Sequence, residues 1–530
     1  MYLCKDMKMI AKMKVKTRIP LWLPLVLAAV MLVAQGCPDE FFGEKAKVDA
    51  DPDYNAKSFL RSQYMEVYYF WRDEVLDRNK LLKPYDYDIY DFFDELLYKD
   101  DRWSWMMDKE AFISEETGVV KGTWGVNLGQ ASEYYGDYGI RVRYIFPGSP
   151  LEAYGVTRGA VMTKIAGKSI EFDETGFSSE KLQTFQTEFN KTPQTFTFRL
   201  VDGTETTFTA SMSESLSTRP KLIARIFQPG EFEGLTEPVG YFHFLSFTYG
   251  TNGQFLSDID EPMKMFHDAG VKKLIVDLRY NGGGDSRVSQ LMMDYLAPDE
   301  ATGKPFVIRK HNSYLPSLDD SFSDENNTSR IIDANKKTYV EAVSSEEEQR
   351  TRAAYWDKVF PNRLSPDRIY FICGAGTASA SEMVINGLRP YMGDRLQMVG
   401  DTTYGKPNGM YVLMYPGFSS DYKAYNQNDY TNLKWVFLPI CFFNQNSLGE
   451  SIPWDGFIPS NYRPDDLYHD FGVEESDIQA CLSHIVTGRY PALPEAPRRS
   501  VSTKAQGESR MAVDEDRANY GRYSVRRFDY

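Results

Sequence analysis

A short apolar run that ends in glycines constrains the fold more than any other feature of this chain. Lys273-Leu274-Ile275-Val276-Asp277-Leu278 leads through Arg279-Tyr280-Asn281 into Gly282-Gly283-Gly284. A run this short, with no polar alternation, reads as a strand buried on both faces, the situation of a sheet covered by helices on each side. Its surroundings follow the same logic. Residues 239–247 read as a strand, 255–269 as a helix, 369–372 as another short buried strand and 381–388 as the helix after it. This alternation predicts an α/β core over residues 216–489. At 530 residues the chain exceeds what one core usually serves, so a multidomain α/β protein is expected.

The segments before the core have a different grain. In 38–116, Phe59, Met65, Tyr69, Phe70 and Val75 recur at near-helical spacing, as do Tyr90, Phe93, Leu96 and Leu97, with Pro84 between the two sets. This predicts a helical N-terminal region capping a larger enzyme. Residues 117–215 instead carry short strands. Ile140 to Ile145 alternates, Pro147-Gly148-Ser149-Pro150 forms a turn-rich junction into a short helix ending at Gly155, and strands follow at 161–165 and 196–200. Residues 285–366 read as a long polar insertion, with Glu346, Glu347, Glu348, Arg350 and Arg352 on a solvated helix. Residues 490–530, rich in Pro, Ser, Arg and Gly, read as a disordered tail.

The first 37 residues are an address. Lys5, Lys8, Lys12, Lys14, Lys16 and Arg18 precede an apolar run from Ile19 to Ala34. Ala34-Gln35-Gly36-Cys37 is similar to a bacterial lipoprotein signal, which implies cleavage before Cys37, lipidation of its thiol, and a place on a membrane of the bacterial cell envelope, periplasmic or surface-facing. A plain secretory peptide cut near Gly36, or an uncleaved anchor, is the alternative. Bulk chemistry removes other classes. A net charge of −15 argues against a nucleic-acid partner, because phosphate binding needs clustered Lys and Arg. Five Cys are too few for a disulfide framework, so Cys373, Cys441 and Cys481 are expected to be buried apolar residues. Five His with no H-E-x-x-H pair and no zinc-spaced Cys/His cluster argue against metal-dependent hydrolysis, and no cofactor is expected.

Three separated motifs carry the chemistry. In Asp277-Leu278-Arg279-Tyr280-Asn281-Gly282-Gly283-Gly284, adjacent glycines let backbone N–H groups approach a substrate closely. In Gly376-Thr377-Ala378-Ser379-Ala380-Ser381-Glu382, small residues at a strand-to-helix junction expose a hydroxyl at a helix N-terminus, where the dipole favours developing negative charge. Taken alone, that segment is better explained by N-capping through Ser379 or Ser381, with Glu382 in the first turn. Gly400-Asp401-Thr402-Thr403-Tyr404-Gly405-Lys406 satisfies G-x-x-x-x-G-K, yet Pro407 stands where a phosphate loop needs Ser or Thr, and a strand-like stretch rather than a helix follows. The phosphate reading fails on both counts. A further S-x-x-K at Ser178 and Lys181 lacks its S-D-N and K-T-G companions and is a chance match.

Taken in order, DLRYNGGG, TASASE and TTYGK resemble the carboxy-terminal processing, or tail-specific, serine proteases, over roughly residues 118–485. The resemblance implies Ser379 as nucleophile and Lys406 as general base, with the N–H groups of Gly283 and Ala380 as oxyanion donors. A lysine with an ordinary pKa of about 10.4 is protonated at neutral pH, and burial favours the neutral amine that takes the serine proton. Residues 117–215 resemble the PDZ domain of such proteases, which implies a peptide-binding loop at Gly125, Val126 and Asn127 that takes a chain end as an added strand. A small barrel with a filled groove is the alternative. Ala160 stands where that domain usually has Asp, and Met410 where the proteases commonly have a Gln that orients the lysine, with Asn408 as a polar substitute. The expected function is therefore an exported serine endopeptidase acting on protein or peptide substrates at C-terminal segments. A catalytically silent peptide-binding lipoprotein and a small-molecule hydrolase using the same nucleophile are the competing readings.

Overall fold

A computed structural model describes residues 38–130, 139–172, 177–301, 304–315, 331–333, 360–416 and 430–493. The leader with Cys37, the segment from Glu346 to Arg352 and the tail beyond residue 493 lie outside the described residues.

The chain begins with helices α1 (Pro38–Ala50), α2 (Tyr54–Phe59), α3 (Arg72–Leu81) and α4 (Ile89–Leu96). The Asp88 carboxylate accepts from the N–H groups of Tyr90 and Asp91 and so starts α4, which buries Ile89, Phe92, Phe93 and Leu96 on one face. The helical expectation needs one correction. Trp105–Asp108 is a strand, β1, paired antiparallel with Trp435–Leu438. Met106 and Met107 are both buried, one in the N-terminal cluster and one in a smaller cluster, so the segment needs apolar cover on two sides that a strand between layers provides. Helix α5 (Lys109–Thr117) follows, capped by Asp108 and ended by Gly118 at φ +60°.

The next unit is built from β2 (Val119–Val120), β3 (Val126–Gln130), β4 (Ile140–Ile145), β5 (Val161–Ile165), β6 (Lys168–Ser169), α6 (Ser179–Phe189), β7 (Gln194–Arg199), β8 (Glu205–Ala210) and β9 (Leu216–Ser217). Its sheet runs β3-β4-β5-β7-β8 with β6 on β5, and β2 pairs with β9 where the unit begins and ends. Trp124, Val142, Leu151, Met162, Phe196 and Phe198 fill its core. The short helix expected before Gly155 is a 3-10 turn, Glu152–Tyr154, stopped by Gly155 at φ +75°. Ala160 is fully buried, and its N–H bonds the carbonyl of Thr157, closing the turn through the backbone. Ser178 accepts from the Lys181 N–H as the cap of α6, which accounts for that S-x-x-K spacing.

The α/β core contains β10 (Lys221–Phe227), β11 (Val239–Phe244), α7 (Ser257–Asp268), β12 (Lys273–Asp277), α8 (Ser286–Leu296), β13 (Val307–His311), β14 (Ile331–Asp333), β15 (Arg368–Cys373), α9 (Ala380–Met392), β16 (Leu396–Gly400), β17 (Asn408–Met410), β18 (Leu413–Tyr415), β19 (Trp435–Leu438), β20 (Ile440–Gln445), β21 (Asn461–Tyr462) and α10 (Ser476–Thr487). The main sheet runs β10-β11-β12-β15-β16-β21, parallel from β11 onward. Its faces alternate. Phe242, Leu274, Val276 and Phe371 cluster with residues of α7, α8 and α9, while Tyr241, Ile275, Tyr370 and Ile372 cluster with Ile478, Cys481 and Leu482 of α10. The apolar run is therefore covered on both sides. Cys373, Cys441 and Cys481 are buried and unpaired. Smaller sheets, β14-β13-β20-β17 and β1-β19-β18, flank the main one.

The insertion expected at 285–366 is also corrected. Its first part belongs to the core: Val288, Met292, Met293 and Leu296 of α8 join the main cluster, and β13 pairs with β20. Polar residues between these positions masked a helical period that only packing makes visible.

Candidate active site

Strands β12 and β15 are parallel neighbours, so the loops at their C-terminal ends meet, the place where open α/β sheets hold ligands. The first loop is the glycine cluster. The second is the turn from Gly374 to Ser379 that enters α9. A Cβ on Gly283 would lie 2.7 Å from Ser379 Cβ and 2.9 Å from the Ala380 nitrogen, so only glycine lets the two loops approach this closely. Ser379 itself sits at φ +54°, a conformation that costs a non-glycine residue energy and recurs at functional sites. Its side chain is half-buried, at the N-terminus of α9.

Asn281 joins the two loops. Its carbonyl accepts from the Ala378 N–H at 3.1 Å and the Ser381 hydroxyl at 2.9 Å, while its Nδ2 donates to the Phe244 carbonyl at 2.9 Å. Its Oδ1 accepts from the Gly283 N–H at 2.9 Å. One of the two expected oxyanion donors is thus engaged in this conformation. The other, Ala380, is the first residue of α9 and carries an N–H that has no partner within its own helix.

The base candidate arrives from a third loop, between β16 and β17, and Glu382 ties that loop to the Ser379 turn. This carboxylate is fully buried in the first turn of α9. Its Oε1 accepts from the Thr403 hydroxyl at 2.6 Å and the Gly405 N–H at 2.8 Å. Its Oε2 accepts from the N–H groups of Ser379 at 3.1 Å and Lys406 at 2.9 Å. Burial raises the Glu382 carboxyl above its ordinary range, and the four donors act against that rise. The sequence offers Ser379 or Ser381 as the cap of this helix, but nothing in it shows that the Glu382 carboxylate holds the lysine loop. Lys406 is half-buried, and its Nζ lies 3.8 Å from Met410 Sδ.

A second acidic group was not foreseen. Glu115, in the last turn of α5, meets solvent but is closely surrounded by protein. Burial first, and then the neighbouring Glu116, push its carboxyl up to about 7, while the positive charge of Lys406 opposes the rise. The N-terminal region thereby places a titrating carboxyl within electrostatic range of the base candidate.

Behind the glycine loop lies a buried ion network. Arg279 pairs with Asp277 at 2.8 Å, Glu475 at 2.5 Å, Asp465 at 3.1 Å and Asp477 at 3.1 Å. Arg158, from the loop before β5, donates to the Tyr280 hydroxyl at 2.6 Å and to Asp465 at 2.9 Å. Tyr280 in turn donates to Asp465 at 2.6 Å. The small β unit is therefore joined by charge to the strand that delivers Gly283. The expected peptide-binding residues stand on that unit, apart from the Ser379 loop in sequence. Gly125 sits at φ +61°, its N–H bonded to Thr123 Oγ1 at 3.1 Å. Val126 and Asn127 pair with β4, and among the described residues β3 is an edge strand of its sheet.

Residues 238–425 match Peptidase family S41. The structure is similar to a Bacteroides fragilis NCTC 9343 protein assigned to the S41 proteases, at 19% identity and a TM-score of 0.55, covering 79% of this chain and 95% of that one. This likeness is one of fold. The photosystem II D1 C-terminal processing protease is similar at 16% identity and a TM-score of 0.37, covering 80% of this chain and 92% of its own. No curated protein sequence matches the chain.

Proposed function

From the match of residues 238–425 to Peptidase family S41, we propose a serine endopeptidase in which Ser379 is the nucleophile and Lys406 the general base. The family match over residues 238–425 and the mixed α/β fold support reading it as a serine-type peptidase that acts on protein substrates. One observation carries the finer reading: a single buried carboxylate oxygen, Glu382 Oε2, accepts from the backbone N–H of both Ser379 and Lys406. The two loops that carry the hydroxyl and the amine are thereby tied to one carboxylate, which supports reading the two side chains as a nucleophile and its base. The neutral amine of Lys406 takes the Ser379 proton as Oγ attacks the scissile carbonyl. The oxyanion meets the Ala380 N–H and, once Asn281 releases it, the Gly283 N–H. Lys406 then returns the proton to the leaving amine, and water hydrolyses the acyl-enzyme by the same route.

The edge strand β3 supports selection of chain ends by strand addition at Gly125, Val126 and Asn127. Export and a lipid anchor at Cys37, placing the enzyme on the bacterial cell envelope, complete the proposal. Ser379→Ala and Lys406→Ala should each abolish cleavage of an unstructured protein such as casein while leaving the unfolding transition in place. Full activity in either variant would overturn the mechanism. A peptide-binding protein without catalysis is the second reading, favoured by the Gly283 N–H being held by Asn281. Absence of casein cleavage by the unaltered protein, with chain-end peptides still bound, would select it.

A further inference from the structure

The Lys406 loop is held from two sides. Glu382 grips it from within, and a tight turn from Pro453 to Gly456 grips it from without. The Gly456 N–H closes that turn on the Pro453 carbonyl at 3.0 Å. Just beyond it, the Thr403 N–H donates to the Phe457 carbonyl at 3.1 Å, and the Phe457 N–H to the Thr403 hydroxyl at 2.7 Å. Neither glycine at this contact has room for a side chain. A Cβ on Gly456 would lie 1.9 Å from the Thr403 carbonyl oxygen, and one on Gly405 would lie 2.2 Å from that of Trp454. The Trp454 carbonyl therefore rests on the residue just before Lys406.

The N-terminal region fixes this turn. Arg102 Nη2 donates to the same Trp454 carbonyl at 2.5 Å, and its guanidinium lies 4.7 Å from the centre of the Trp103 ring. The Trp454 ring meets Trp103 edge-on at 4.7 Å and stacks on Phe443 at 6.1 Å. The loop that presents Arg102 is itself pinned. Asp101 Oδ1 accepts from the N–H groups of Trp103 and Ser104 at 3.0 Å each, and its Oδ2 from the Tyr69 hydroxyl at 2.7 Å. Yet Arg102 is exposed and Trp454 is 46% exposed, so neither side chain serves mainly to fill a core. Both also lie outside residues 238–425.

We propose that Arg102 and Trp454 are positioning residues for Lys406, acting on it through Gly405. Held by Arg102, the Trp454 carbonyl keeps the loop from Thr403 to Lys406 pressed inward on Glu382, and the half-buried lysine stays partly shielded from water. Shielding favours the neutral amine, the form a base needs. Without the Arg102 bond the turn lifts, water reaches Nζ, and the ammonium form gains. The N-terminal region thereby supplies the outer half of a clasp whose inner half is Glu382. This assignment rests on the serine–lysine reading and names what controls the base from another region of the chain.

The test compares the unaltered protein with Arg102→Ala, Arg102→Lys, Trp454→Ala, and Arg102→Ala combined with Trp454→Ala. Each is followed by casein cleavage and by fluorophosphonate labelling of Ser379 across a pH series, and by thermal unfolding. Arg102→Ala should lower kcat near neutral pH roughly 10- to 100-fold, as a small displacement of a reacting group does, with KM unchanged. The rising limb of both profiles should move to higher pH, because a better solvated amine keeps its proton longer. Lysine at 102 still offers a donor and a cation, and should restore part of kcat and of the limb. Trp454→Ala should act in the same direction. The double variant should lose little more than the stronger single one, because both work through one turn. The melting temperature of Arg102→Ala should shift by less than about 2 °C, since the side chain is exposed. A loss of kcat with a lowered melting temperature and no rescue by lysine, the pattern of a structural role, would overturn the assignment. So would single losses that multiply in the double variant. If the unaltered protein neither cleaves nor labels, the serine–lysine reading falls and takes this one with it. An active unaltered protein whose kcat or limb is the same in Arg102→Ala removes this one alone.

Discussion

Two junctions stand behind the candidate site, one for each of the proposed reacting groups, and they are built from opposite chemistry. On the lysine side the N-terminal helices meet β18, β19 and β20 through aromatic rings. Phe70 lies 4.6 Å from Phe443, Trp71 meets the same ring edge-on at 5.7 Å, and Phe93 stacks on Phe437 at 6.1 Å. Tyr404 and Met410, on either side of Lys406, pack against this cluster. On the serine side the small β unit meets the core through the buried ions of Arg158, Arg279, Asp465 and Glu475. Apolar burial is non-directional and indifferent to pH, whereas a buried ion pair fixes geometry but depends on every partner being present. The lysine loop thus rests on a surface that yields gradually, and the glycine loop on one that fails when a single charge is lost.

The largest expected effect follows from that dependence. Arg279→Met removes the cation from Asp277 and Asp477 in the interior and leaves Asp465 and Glu475 to Arg158 alone, and should cost about 3–5 kcal/mol in urea unfolding, as when one member of a buried pair is removed. Activity should fall with it, because Gly283 lies four residues downstream. A cost below about 1 kcal/mol would show that the network is solvated and the contrast between junctions false.

Acid should separate the junctions next. His243 is fully buried among Tyr241, Tyr280, Phe471 and Asp277, with Arg279 and Arg158 nearby. Burial first, with the two arginines adding to it and Asp277 opposing, lowers its pKa from 6.5 to about 4. The folded protein holds this imidazole neutral where the unfolded chain would protonate it. Its contribution is present above about pH 6.5 and is lost as pH falls toward about 4, in total about 3 kcal/mol. Urea unfolding at a series of pH values should show that loss, and His243→Phe should flatten it. On the aromatic side, Phe93→Leu should cost only about 1 kcal/mol, equally at every pH in the series. A pH-dependent cost for Phe93→Leu would erase the distinction.

What the sequence revealed divides along the same line. The doubly covered sheet was legible because β12 is apolar at consecutive positions, and the catalytic candidates were legible because glycine, serine and lysine stand in motifs that local chemistry explains. The ion network was not. Arg158 and Glu475 are separated from Arg279 by more than a hundred residues, and a lone charged side chain in a polar stretch looks solvated until the fold buries it. Strand β1 was missed for a similar reason, since Trp105 to Asp108 has no alternation and its partner β19 lies far along the chain. Capping of this helix was legible only through Ser379 or Ser381, and Glu382, which accepts from the Ser379 N–H, is the other local part of that turn. Its hold on Gly405 and Lys406 depends on a loop that arrives from another strand.

The smallest effect tests whether the apolar junction is silent toward the chemistry. Helix α5 belongs to the N-terminal region, yet its Glu115 lies within electrostatic range of Lys406 and ionises near pH 7, late for a carboxyl because burial and Glu116 oppose the charge. Below that pH the side chain is neutral and leaves the lysine alone. Above it, a negative charge forms and favours the ammonium over the amine, so the base becomes available only at higher pH. Glu115→Gln removes that charge while keeping the shape, and should move the rising limb of the pH–activity profile to lower pH with the plateau unchanged. The same substitution should leave stability unaltered below about pH 5 and raise it slightly above about pH 7, because a folded-state carboxyl whose pKa is raised loses stability as pH climbs through it. A limb that stays in place would mean that water in the cleft screens the two groups, and that the lysine side of the site answers to packing alone.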